Sequence, residues 1–242
     1  MAYAPGAIAP ALLRDERHGP LPALLLVLTI VTGLVDAVSY LKLGHVFVAN
    51  MTGNIVFLGF AIAGATDFSL PASLVAVGAF VAGALMGGRL GASEGKHRGR
   101  LLAIASYIQI GLVGAALIAS TQATDFDTGF GRYALIVLLG LAMGLQNATA
   151  RRLAVPDLTT TVLTLTLTGL AADSPLAGGK NPNSARRLMA TVTMLVGAGI
   201  GALLIFRVGV SAALALALAL LVFNGAVAFR LSSSSAAWTV GA

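Results

Sequence analysis

The chain has 242 residues, 57% of them hydrophobic and 10% charged, and carries a formal charge of +6. An ordinary soluble domain has about 25% charged residues, so a mean hydropathy of +0.92 excludes a soluble globular protein. The absence of cysteine excludes disulfides, thiolate catalysis and thiolate metal sites. The positive charge reads as the excess of Lys and Arg in cytoplasmic loops, and no nucleic-acid partner is expected.

Residues 1–20 form a short polar leader ending in RDERHGP, expected on the cytoplasmic side. The first apolar run, 22–41, is too long for the core of a signal peptide, and no clean cleavage site follows it. Further runs follow at 71–90, 101–120, 133–150, 188–206 and 208–229. Each approaches or reaches the roughly 20 residues that cross a bilayer as helix. Residues 232–242 are left as a tail. Two segments are ambiguous, 46–65 and the Thr-rich 158–172. The alternation in VLTLTLT also suits a barrel strand, but a barrel would alternate throughout rather than show unbroken apolar runs.

Charge decides between crossing and returning. With six crossings and an internal N-terminus, 12 of the 15 Lys and Arg residues are cytoplasmic, leaving Lys42, Arg132 and Arg207 outside. Eight crossings would abolish the bias, which the positive-inside rule disfavours. Seven crossings remain compatible with charge alone. The expected fold is an all-α polytopic transmembrane helical bundle with six full spans and two re-entrant or broken segments. Ser93 and Ser184 are then cytoplasmic and Thr124 external.

The chain also resembles itself. GLVDAV at 33–38 returns as GLQNAT at 144–149, an offset of 111, with Asp36 over Asn147. Met51-Thr52-Gly53-Asn54 lies over Leu163-Thr164-Leu165-Thr166 at 112, and Gly83 and Gly87 lie over Gly197 and Gly201 at 114. Two repeats, 21–121 and 132–231, are expected. With three full spans each they have opposite topology, an inverted repeat typical of transporters and channels.

The stretches GLVDAVSYLKLGHVFVANMTGNIVFLG and GLQNATARRLAVPDLTTTVLTLTLTGLA resemble the YoaK-type family of bacterial inner-membrane proteins, domain of unknown function 1275, with VANMTGN the most specific part. The resemblance covers nearly the whole chain and implies a six-span protein of the bacterial cytoplasmic membrane, with little chemistry attached. Leu165 stands where the family pattern implies a Gly in the second-half counterpart of Thr52-Gly53.

Polar groups survive at membrane depth only when buried by protein or lining a wet cavity. Asn50, Thr52, Gly53 and Asn54 suit the start of a half-helix, with Asn50 or Thr52 as cap and Gly53 allowing a turn. Such an N-terminus presents free N–H groups to a solute. The alternative is that these side chains only cap the helix or bind neighbouring helices. Asp36 lies about 21 Å along a helix from Pro22, two thirds of the way across a core of about 30 Å. Its carboxylate suits a proton or cation, or else it is a neutral acid bonded to the opposite half, as the amide of Asn147 suggests. Thr164 and Thr166 are the second-half counterparts of Thr52 and Asn54 and join the candidate binding residues. Thr160, Thr164 and Thr168 share a helical face and suit either a path or packing. Gly83, Gly87 and Gly91, Gly140 and Gly144, and Gly197 and Gly201 suit close helix packing. Gln109 and Asn224 suit interhelical bonding.

His18, His45 and His97 lack ligand spacing, so no metal and no cofactor are expected. No nucleophile with a base and no acidic pair appear, so no enzyme is expected. A transporter or channel for a small solute or ion, working in the lipid bilayer, is the first reading. A membrane scaffold binding another subunit or lipid, without transport, is the alternative. A homo-oligomer is left open.

Overall fold

The computed structural model of the chain describes residues 17–122, 126, 129–161, 163–180 and 183–240. Most of the leader and Thr124 lie outside the described residues. Within them, six helices are long and apolar enough to cross a membrane: α1 (Leu21–Lys42), α3 (Leu70–Glu94), α4 (Arg98–Gln122), α5 (Phe130–Leu153), α7 (Ser184–Arg207) and α8 (Val210–Leu231). Two short helices separate them, α2 (Met51–Ile62) and α6 (Thr164–Ala172). At 1.5 Å per residue these reach about 18 and 14 Å, too little for a hydrocarbon core of about 30 Å.

The ends of the bundle are marked by two arginines. Arg98, buried at the start of α4, donates to the carbonyls of Arg17 (3.5 Å), Trp238 (3.4 Å) and Leu153 (2.8 Å) and lies 3.3 Å from His18 Nδ1. Beside it, the Nδ1 of His97 accepts the Arg100 N–H, so its Nε2 carries the proton given to the Ser234 carbonyl. Arg132, at the start of α5, donates to the Leu43 carbonyl just past α1, at the opposite end. Consequently the chain leaves and returns at one end of the bundle between Leu43 and Ser69, and at the other between Ala154 and Asn183. Both segments are re-entrant.

The first span of each half packs on the third helix of the other. α1 runs along α7 and also touches α8; α5 runs along α3 and also touches α4; α4 and α8 pair with each other. α1 and α5 are the most enclosed spans. Glycines permit the two close crossings. A Cβ on Gly33 would strike the Met194 carbonyl and Ala198 N, and one on Gly144 the Phe80 carbonyl and Ala84 N. Gly197 sits against Ile30 and Gly83 against Leu141, while Gly201 meets Leu34 and Ala37 as Gly87 meets Leu145 and Ala148. Every one of these partners is related by the offsets of 111 or 114 that the sequence shows. Between membrane helices, where no hydrophobic drive remains, such backbone approach and its dispersion contacts hold the bundle.

Candidate functional site

Each re-entrant segment descends beside a full span and is gripped by a polar side chain on it. In the first half Asp36 Oδ1 accepts the N–H groups of Val48 (3.1 Å) and Ala49 (2.9 Å), just before α2 begins. Asn54, fully buried, closes the same loop from α2. Its Oδ1 accepts the Phe47 N–H at 2.8 Å and its Nδ2 donates to the Phe47 carbonyl at 2.6 Å. In the second half Asn147 Nδ2 donates to Thr161 Oγ1 at 2.5 Å. Next to it Gln146 Nε2 reaches Thr160 Oγ1 (3.1 Å), Thr32 Oγ1 (2.8 Å) and the Leu28 carbonyl (3.3 Å). Gln146 Oε1 accepts from Gln109, so α1, α4, α5 and the second loop share one amide. Thr160 sits at φ +66°, in the left-handed region that a branched side chain rarely occupies. Such strain costs about 1–3 kcal/mol and persists only where surrounding bonds enforce it, as Gln146 does here.

Between the tips of the two segments lies a cavity of about 590 Å³. Asn50, Thr52 and Gly53 from the start of α2, Thr161, Leu163 and Thr164 from the start of α6, Gly33 and Asp36 from α1, and Met194 and Ala198 from α7 line it. Neither Asn50 nor Leu163 caps its helix through its side chain. Asp36 is the one ionisable group among its described lining residues. One of its oxygens is committed to the loop, and Oδ2 keeps no hydrogen bond among the described residues.

The structure therefore gathers five of the eight candidates, Asp36, Asn50, Thr52, Gly53 and Thr164, around one space. Asn54 and Thr166 are buried beside it and do not line it. Asn147 lines a second cavity, of about 560 Å³, with Phe80, Ala84, Gly87, Gly88, Gly91, Ala148, Arg151 and Arg152. Its Phe80, Ala84 and Asn147 match Met194, Ala198 and Asp36 of the first cavity. Several local expectations change. Asn50 and Thr52 do not cap α2 through their side chains, and Gly53 is a helical residue whose missing side chain admits the Phe47 ring, 2.8 Å from where a Cβ would stand. Thr160 precedes α6 rather than sharing its face, and Thr168 bonds back to the Thr164 carbonyl. Asn224 bonds Ser106 between α8 and α4. Gln146 escaped sequence reading, although its place beside Asn147 in GLQNAT was the available signal.

Six spans with two re-entrant segments around a polar centre define a multi-pass helical membrane protein. The chain matches the family described as "Protein of unknown function (DUF1275)" over residues 24–228, and it belongs to that family. It is 35% identical over 150 residues to UPF0700 transmembrane protein YoaK of Bacillus subtilis (strain 168), an alignment covering 62% of this chain and 65% of that protein. No solved structure matches.

Proposed function

We propose that the protein is a transporter or channel for a small polar solute, not an enzyme, and that the cavity between the re-entrant tips is its binding site. The carrying observation is that cavity: the starts of two short helices, neither capped by the side chain before it, and the Asp36 carboxyl group converge on an open space. Partial positive charge at the helix starts and the Asp36 carboxyl group supply donors and an acceptor for polar recognition. The alternative, a scaffold, has no use for an open centre and would fill it with side chains.

In this reading the halves form an inverted repeat in a bacterial inner membrane, with the N-terminus cytoplasmic. The matched glycine crossings support the repeat, and the gathering of Arg17, Lys96, Arg98, Arg100 and Arg151 at the Arg98 end supports the orientation. The second cavity, with Arg151 and Arg152, then lies toward the cytoplasmic end.

The test is a thermal-shift screen of small solutes on purified protein, beside thiol labelling of Thr52→Cys and Thr164→Cys. A ligand at 100 times its Kd stabilises by about 2.7 kcal/mol. The reading expects at least one solute that stabilises the wild type, protects both cysteines and fails with Asp36→Asn. Cysteines that a water-soluble maleimide never reaches, with no stabilising solute, would sink it.

A further inference from the structure

Two guanidinium groups line the second cavity, where the first has a single buried carboxyl. Arg151 and Arg152 stand where the first half has Tyr40 and Leu41, and Asn147 replaces the carboxylate. Among the described residues neither arginine makes a hydrogen bond or an ion pair. Cations in the last turn of a helix are favoured by its C-terminal charge, which accounts for their sign. It does not account for the space they face. The Arg152 side chain is laid across α3, where a Cβ on Gly91 would lie 3.2 Å from its Cγ and one on Gly95 2.8 Å from its Nε. Gly88, by contrast, has nothing within 4 Å of where a Cβ would stand, so the floor of the cavity is open there.

An apolar furrow of about 480 Å³ adjoins this cavity on the outer side of α3, lined by Phe80, Val81, Ala84, Leu85, Gly88, Arg89 and Ala92. Phe80, Ala84 and Gly88 line both spaces, so the two adjoin along α3. Those three residues rise along one face of α3, and Phe80 lies about 12 Å deeper in the span than Gly88 at 1.5 Å per residue. Arg89 and the α5 arginines therefore flank the shallow end, and Phe80, Val81 and Leu85 line the deep one. Arg89 too makes no hydrogen bond or ion pair among the described residues.

We propose that this groove between α3 and α5 is a binding site for an anionic phospholipid. The phosphate sits between Arg151 and Arg152, Arg89 borders the headgroup, and one acyl chain lies in the furrow. Guanidinium groups donate to phosphate oxygens as paired, charge-assisted bonds, and the depth order of charge and hydrocarbon matches a lipid rather than a soluble anion. The site is independent of the solute reading above.

The experiment titrates purified detergent-solubilised protein with phosphatidylglycerol, phosphatidylcholine and inorganic phosphate and counts retained lipid by native mass spectrometry. A surface cation contributes about fivefold toward an anionic lipid. Wild type is expected to retain phosphatidylglycerol over phosphatidylcholine, and the Arg151→Gln/Arg152→Gln variant to lose about fivefold for each arginine removed. Gly88→Leu keeps every charge, fills open space and is expected to weaken retention as well. Equal retention of the two lipids, or full retention by both variants, overturns the proposal. So does displacement of phosphatidylglycerol by inorganic phosphate at matched concentration, which would assign the groove to a soluble anion. Because the arginines are exposed and Gly88 has no neighbour to disturb, unchanged elution and helicity are expected in each variant.

Discussion

Replacing Asn54 by Leu removes both bonds that hold the Phe47 peptide against α2, the 2.8 Å bond to its N–H and the 2.6 Å bond to its carbonyl. Leu shares the branching of Asn but is larger, so no cavity arises, and the loss falls on two polar groups of the backbone that its methyls also crowd. A buried group left unpaired costs about 1–3 kcal/mol, whereas hydrogen bonds measured inside a membrane protein average nearer about 0.6 kcal/mol. Two groups thus bracket about 1–6 kcal/mol. Phe47 is only half-buried and lines the cavity, so water can recover part of the loss. The expected cost is about 2 kcal/mol, which for a chain of this size lowers Tm by about 6 °C. The assay is thermal unfolding followed by circular dichroism at 222 nm, beside thiol labelling of Thr52→Cys in the same background. The loosened loop should also raise the labelling rate. A Tm within about 1 °C of wild type and an unchanged labelling rate would refute the structural role of this amide. Asn54 would then be free to serve a ligand.

Gly144→Ala, whose Cβ would collide with the Phe80 carbonyl, should destabilise strongly or abolish folding, while Gly111→Ala, with open space around it, should unfold as wild type does. Gln146→Leu breaks the bonds to Gln109, Thr32, Thr160 and the Leu28 carbonyl; at about 0.6 kcal/mol per bond a loss of roughly 2 kcal/mol is expected in the same melts. Asp36→Asn keeps an acceptor for Val48 and Ala49, so folding should survive; any solute that stabilises the wild type with a pH dependence should lose that dependence, since no other described lining residue titrates. In this cysteine-free chain, Ser93→Cys and Ser184→Cys should label only from the cytoplasm and Thr124→Cys only from outside; labelling of position 184 from outside would overturn the six-span orientation.

The spans were legible because a helix crossing lipid must be apolar on every face, so each leaves an unbroken run whatever it packs on. The spacing between matched positions was legible too. The offset that aligns GLVDAV with GLQNAT also aligns Ile30 with Leu141 and Ala37 with Ala148 in the two helix crossings. Partnership of polar groups was not legible. Asn54 and Asn50 are both amides near the head of α2, yet one is buried on Phe47 and the other faces the cavity, a difference set by a loop geometry that spacing does not encode. Likewise EGKHRGR reads as one charged run, although Arg98 is buried among three carbonyls and Arg100 is exposed. The separation of Asp36 from Asn147 into two cavities was also hidden, because matched positions in two halves need not share one space.

The exchange of first spans between halves bears on how the protein is made. As the chain leaves the ribosome, α1 to α4 enter the bilayer before the helix that α1 packs on exists. Gly33 must keep its backbone face toward lipid or an insertion partner until α7 has been synthesised, and Gly83 and Gly87 of α3 must wait for α5. A chain truncated between the halves would leave both glycine-bearing faces permanently open. The two halves supplied as separate polypeptides would each complete the other.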